Sequence, residues 1–149
     1  MVPALRKKYN QEFSKEKYEA YVNELANVYP GHLEFRLAET PVFVPKEFSQ
    51  KILSACENII DIIMTPGYYQ ASEKAIPAHL RVPNEDSHPH CIAFDFGVCV
   101  NNAGELEPQL IEMQGFPSLF AWQVIQPKIH ARHFWTPENY SPYLNEFDK

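Results

Sequence analysis

The chain has 149 residues, 45% of them apolar and 21% charged, a balance that excludes general disorder and leaves room for a single hydrophobic core. Its 13 Lys and Arg against 19 Asp and Glu give a formal charge of -6, the wrong sign for a protein that grips phosphate backbones. No apolar stretch approaches the roughly 20 residues needed to cross a bilayer, and the opening MVPALRKKYNQEF lacks the apolar centre of a signal peptide. The expectation is a cytoplasmic protein without nucleic-acid or membrane partners, with residues 1–149 forming one domain.

The cysteines, Cys56, Cys91 and Cys99, are odd in number and show no CxxC spacing, so neither a disulfide framework nor a cysteine zinc site is expected. They read as small buried residues in a reducing compartment. The 13 Pro against 5 Gly predict many rigid bends.

From about 14 to 28, Tyr18, Tyr21, Val22, Leu25 and Val28 recur at helical spacing with Lys and Glu between them. Pro30-Gly31 closes this amphipathic helix. Two β-branched and aromatic runs follow, Leu33 to Leu37 and Val42 to Val44, and are expected as short strands or extended segments. Over 47–64, Phe48, Ile52, Leu53, Cys56, Ile59, Ile60 and Ile63 share one helical face, and Thr65-Pro66-Gly67 stops it. This helix is expected at the centre of the core, because its β-branched residues need burial to hold the helical form.

Tyr68 to Pro89 shows no sustained period and reads as a long loop, a class that is often functional. Tyr68, Tyr69 and Arg81 within it could meet a substrate carboxylate, Arg81 through its bidentate fork; ordinary loop packing is the competing reading. His88-Pro89-His90-Cys91 invites a zinc or iron reading, and with Asp95 faintly resembles a cupin ligand set. A polar loop that happens to carry histidines weighs more, since no second histidine motif follows. His130 and His133, at helical spacing, read as a half-exposed pair at a helix C-terminus, where positive charge is favourable.

Cys91 to Val100 alternates between a bulky apolar face and a face of small residues carrying Asp95. Asn101-Asn102-Ala103-Gly104 signals a turn, Leu106 to Met113 the returning strand, and a helix is expected over about 118–133. Glu112 and Gln114, two apart, share one side of that strand. If Asp95 lies opposite Glu112, Phe94 faces Met113 and Phe96 faces Ile111, so the apolar side chains also meet. This register sets two carboxylates across from each other, which destabilises a sheet unless a cation or shared proton intervenes. Asp95, Glu112 and the Gln114 amide would then offer hard oxygen ligands to magnesium. The turn itself suits a three-residue loop with Gly104 left-handed, a register that places Asp95 opposite Ile111. A one-residue bulge, expected at Pro108, reconciles the two.

The run FDFGVCVNNAGELEPQLIEMQGFPSLFAWQ resembles a segment of the glutathionylspermidine synthetases and related circularly permuted ATP-grasp proteins. There, a strand with Asp, a hairpin and a Glu-x-Asn strand lead into a Ser-Leu helix start. The resemblance implies that Asp95, Glu112 and Gln114 hold Mg2+ against the phosphates of ATP. It also implies that a small-molecule carboxylate is activated and joined to an amine. Gln114 stands where the family has Asn, and Ala93 where it has Arg. The chain then reads as the pre-ATP-grasp, N-terminal part of a longer carbon-nitrogen ligase, not active alone. A non-catalytic small-ligand or protein-interaction module is the alternative, and a cupin-like metal enzyme the third reading.

The expected fold is α/β, with α+β as second choice. A small mixed sheet holds the hairpin at about 91–113, and the helices at about 14–28, 47–64 and 118–133 pack on it.

Overall fold

The computed structural model describes residues 2–31, 33–86, 89–116 and 119–138. It is a mixed helical and stranded fold, with five α-helices and one two-stranded antiparallel sheet among these residues. Two compact units make it up: Met1–Val44 with Ser118–Lys149, and Pro45–Pro117.

The first unit holds α1 (Pro3–Glu12), α2 (Lys15–Val28) and α5 (Phe120–His133). Pro3 starts α1, where its fixed φ and missing N–H suit the first turn. The Ser14 hydroxyl caps α2 by accepting from the Lys17 N–H at 3.3 Å. Tyr9, Tyr21, Leu25, Phe43, Ile129 and Phe134 are buried together as the core. Aromatic rings supply much of it: the Tyr9 and Phe134 centroids lie 5.4 Å apart, and the Tyr21 ring meets Phe134 edge-on at 5.9 Å.

The segments expected as short strands or extended segments at Leu33 to Leu37 and Val42 to Val44 form no strand, and Phe35 lies in a bend. Some of the carbonyls here and between these segments find partners outside a ladder. The Tyr18 hydroxyl donates to the Leu37 carbonyl at 2.8 Å, the Tyr9 hydroxyl to the Glu39 carbonyl at 3.1 Å, and the Val2 N–H to the Phe43 carbonyl at 2.9 Å. Two tyrosine hydroxyls and one backbone N–H thus stand at these carbonyls in place of the strand partners that a hydrophobic alternation alone would predict.

The second unit holds α3 (Lys46–Ile63), the short α4 (Tyr68–Ser72), two turns of 3-10 helix, and the hairpin of β1 (Ala93–Val100) and β2 (Leu106–Gln114). The stretch from Tyr68, expected as a long loop with room for one short turn of helix, carries three such turns by Leu80. On α3 only Phe48 is buried, while Ile52, Cys56, Ile59 and Ile63 are half-buried and Leu53 and Ile60 exposed. The core forms from the first unit's aromatic residues and does not include α3, which corrects its expected central place.

The sheet is purely antiparallel and has two strands rather than being mixed. The last helix is described from Phe120, and its expected start at Ser118 lies outside the described residues. Cys56 and Cys91 are half-buried and Cys99 is exposed, so the expectation of three buried thiols does not hold. Among the described residues, no helix is long and apolar enough to cross a membrane.

Candidate metal-binding hairpin

The turn between the strands forms as its residues dictate. The Asn101 N–H donates to the Glu105 carbonyl and the Gly104 N–H to the Asn101 carbonyl, both at 2.9 Å. Gly104 sits at φ +81°, a left-handed position that suits glycine. The Asn101 side-chain oxygen accepts from the N–H groups of Ala103 at 3.0 Å and Glu105 at 2.9 Å, tying the loop from within.

From this turn the ladder runs Val100 with Leu106, Cys99 with Glu107, Val98 with Pro108, Gly97 with Gln109 and Phe96 with Leu110. Ile111 is then skipped, and Asp95 pairs with Glu112, Phe94 with Met113 and Ala93 with Gln114. The bulge is present, but at Ile111 and not at Pro108. Phe96 accordingly faces Leu110 instead of Ile111. Pro108 needs no irregularity: opposite Val98 it is one residue away from an inward-bonding position, so its missing N–H falls on the outer edge. Gly97 lies beside the bulged residue. A Cβ added there would lie 3.8 Å from the Ile111 Cδ1 atom, so Ile111 covers Gly97 on the carboxylate side.

The extra residue has a chemical consequence. Before it, the odd-numbered residues Glu107 and Gln109 of β2 share a face with Cys99 and Gly97; after it, the even-numbered Glu112 and Gln114 share that same face with Asp95 and Ala93. Without the bulge, the two halves of β2 would present their polar side chains to opposite sides.

Gln114, the last residue of β2, joins the two carboxylates at the end of this face. Its amide Nε2 donates to Asp95 Oδ2 at 3.2 Å and to Glu112 Oε1 at 2.6 Å. One atom is thus within reach of both carboxylates. For a small cation to lie between the carboxylates and this side chain, the Gln114 amide must turn over and present its oxygen in place of its nitrogen, a rotation of the terminal amide group. The donor set, two carboxylates and an amide oxygen, suits a hard cation such as magnesium that keeps several waters. Asp95 and Glu112 are exposed and Gln114 is half-buried, so the open side leaves room for those waters.

The loop candidates are engaged elsewhere. Arg81 forms an ion pair with the Glu73 carboxylate and also donates to the Glu73 carbonyl at 2.8 Å. Tyr68 and Tyr69 are exposed on α4. No hydrogen bond or ion pair among the described residues joins these three to the hairpin carboxylates. His90 is exposed, while His88 lies outside the described residues.

Sequence reasoning did not single out the open cleft of about 460 Å3 between α3 and the hairpin. It is lined by Glu47, Gln50, Ser54 and Asn58 of α3 and by Asn101 and Glu107 of the hairpin. The signal was legible on α3, where these polar residues recur three and four apart along the side away from Phe48, Ile52 and Ile59.

In the first unit, His130 and His133 are drawn into packing and pairing. The His130 ring stacks on Tyr9 at 5.9 Å, and its Nε2 lies 3.2 Å from the Tyr9 hydroxyl. His133 Nε2 is 2.6 Å from the Glu24 carboxylate, which Arg132 also contacts. Burial, and then the neighbouring His133, lower the pKa of His130. The bonds from His133 and Arg132 lower that of Glu24. Burial pushes the Tyr9 hydroxyl up to about 12.

Compared with protein families, with curated proteins and with solved structures, the chain matches none.

Proposed function

We propose that the hairpin face of Asp95, Glu112 and Gln114 is a Mg2+ and ATP-phosphate site belonging to the pre-ATP-grasp portion of a carbon-nitrogen ligase. The observation that carries this reading is the bulge at Ile111, which brings Asp95 opposite Glu112 and keeps Gln114 on the same face. A cross-strand carboxylate pair opposes sheet formation, and a bound divalent cation turns that repulsion into attraction. The protein's own part is to hold three oxygens at one point and leave the open side to water and phosphate. The cation, when bound, would neutralise charge as phosphoryl transfer proceeds. The rest of the ligase machinery, with the carboxylate and amine substrates, would belong to a longer cytoplasmic protein, and this chain alone would not turn over ATP.

Calorimetry of Mg2+ and of Mg2+ with ATP, on the parent chain and on the Asp95→Asn and Glu112→Gln variants, tests the proposal. Binding by the parent that is lost in both variants supports it. No binding of Mg2+ with or without ATP by the parent sinks it.

The second reading is a non-catalytic module for a small polar ligand. Two observations favour it: Gln114 already bridges the carboxylate pair by donating to both, and the α3 cleft offers hydroxyl, amide and carboxylate groups. Under this reading Glu107→Ala alters ligand binding while Asp95→Asn does not.

A further inference from the structure

The two outer edges of the hairpin are built differently. The Asn101 N–H bonds across to Glu105, so by strict alternation Cys99 and Gly97 also bond inward, while Phe96, Val98 and Val100 turn their N–H and C=O groups outward. On β2 the outward residues include Leu106 and Pro108, opposite Val100 and Val98.

The β2 edge is closed. Pro108 has no N–H to offer, and the bulge at Ile111 interrupts the strand. Lys51 of α3 donates to the outward carbonyl of Leu106 at 3.3 Å and pairs with Glu105 at 3.5 Å. Proline, bulges and lysine are the devices by which sheet edges are kept from pairing. The β1 edge carries none of them. Its eight residues, AFDFGVCV, contain one charge and no proline or lysine, and no other strand pairs with it among the described residues.

We infer that the open edge of β1 pairs antiparallel with β1 of a second copy of this chain, about a two-fold axis at Gly97, giving a four-stranded sheet. The strand is complementary to itself in this register. Phe94 falls opposite Val100 of the second copy and Phe96 opposite Val98, each of them an outward-bonding residue, so about eight backbone hydrogen bonds form. Aromatic and β-branched pairs of this kind are favourable cross-strand neighbours. Val98 and Val100, 56% and 66% exposed, gain phenylalanine neighbours on the apolar face. Asp95 falls opposite Cys99, not opposite its own copy, so no like charges meet. A register centred on Asp95 would oppose two carboxylates. One shifted by a single residue would set the apolar face against the polar one.

The pairing leaves the Asp95 and Glu112 face open, so it is independent of the cation reading. Sedimentation equilibrium on the full chain at tens of micromolar tests it, with two variants. Val98→Pro removes an outward N–H that the hairpin itself does not use. Gly97→Cys, made with Cys99→Ser, places thiols across the axis at a non-hydrogen-bonded pair, where the short Cα separation suits a disulfide. An added Cβ at Gly97 meets nothing closer than 3.8 Å. The inference expects twice the chain mass for the parent and the single mass for Val98→Pro with an unchanged circular dichroism spectrum. It also expects an oxidised 97-to-97 link on peptide mapping. A monomeric parent overturns it, as does a folded Val98→Pro variant that remains a dimer. If Val98→Pro does not fold, the cross-link decides alone, and its failure to form in a dimeric parent overturns the register.

Discussion

Asp95 lies directly across the hairpin from Glu112, although the three-residue turn, carried on without interruption, would put it against Ile111. The bulge that makes the difference sets two carboxylates together on an exposed face, bridged by the Gln114 amide. An opposed pair of this kind disfavours strand pairing by roughly 0.2–1 kcal/mol. In a chelator, Asp95→Asn is expected to melt at or slightly above the parent's temperature. With millimolar Mg2+ the order reverses, because the parent alone gains stability from the ion. Thermal melts of both proteins with and without Mg2+ check this, and a parent melt indifferent to Mg2+ counts against the cation site.

The turn that feeds this register depends on Gly104 and Asn101. Gly104 at φ +81° is in the left-handed region, where a side chain costs about 1–2 kcal/mol. Asn101→Ala removes an oxygen that accepts from two backbone N–H groups, a loss of about 1 kcal/mol. Either change is expected to raise amide exchange rates along β1 and β2 without altering α2 and α5. Exchange measured residue by residue checks it, and uniform acceleration throughout the chain would contradict a role confined to the hairpin.

Periodicity disclosed α2, α3 and the hairpin because each carries a repeat matched to its geometry, and Gly104 and Asn101 specify their loop by local backbone chemistry. Placing Asp95 opposite Glu112 was legible too, since it was the only register that satisfied both faces. The bulge's location was not. Pro108 stands out for its missing N–H, yet an outward position makes that absence harmless, while the break falls at Ile111, which no residue type in the strand marks. The extended segments at 33–37 and 42–44 misled for a related reason. Their alternation is real, but the Leu37 carbonyl accepts from the Tyr18 hydroxyl and the Phe43 carbonyl from the Val2 N–H, and sequence spacing does not reveal such partners. Helix α1 was missed although Pro3 at its start and Leu5 and Tyr9 at spacing four were there to read.

Core energetics in the first unit rest on residues such as Leu25, which is fully buried. Leu25→Ala is expected to cost about 2–5 kcal/mol through lost burial and the cavity left behind. Val28, on the next turn but 48% exposed, is expected to tolerate alanine within about 0.5 kcal/mol. Denaturant unfolding of both variants, followed by tryptophan fluorescence, checks the contrast. Equal losses would mean that the described burial does not set the unit's stability.

The same unit should lose stability on both sides of neutrality. His130 has a pKa below its ordinary 6.5, chiefly because burial against Tyr9 and Phe134 disfavours the imidazolium. As pH falls below 6.5 the unfolded chain takes up this proton before the folded one, so stability declines until the folded pKa is passed. Glu24, held below the usual carboxylate range by His133 and Arg132, acts in the same direction at lower pH. At the alkaline end, the Tyr9 hydroxyl is raised from 10.0 to about 12 by burial, so the unfolded chain loses that proton first and stability declines as pH rises from 10 to about 12. Thermal melts from pH 7.5 down to 5 are expected to show a falling midpoint. His130→Gln, which keeps a polar group near Tyr9 but does not ionise, should flatten the upper part of that slope. Absorbance titration of tyrosinate should show Tyr9→Phe removing a late-ionising group. An unchanged slope in His130→Gln would assign the acid sensitivity to the Glu24 pairings instead.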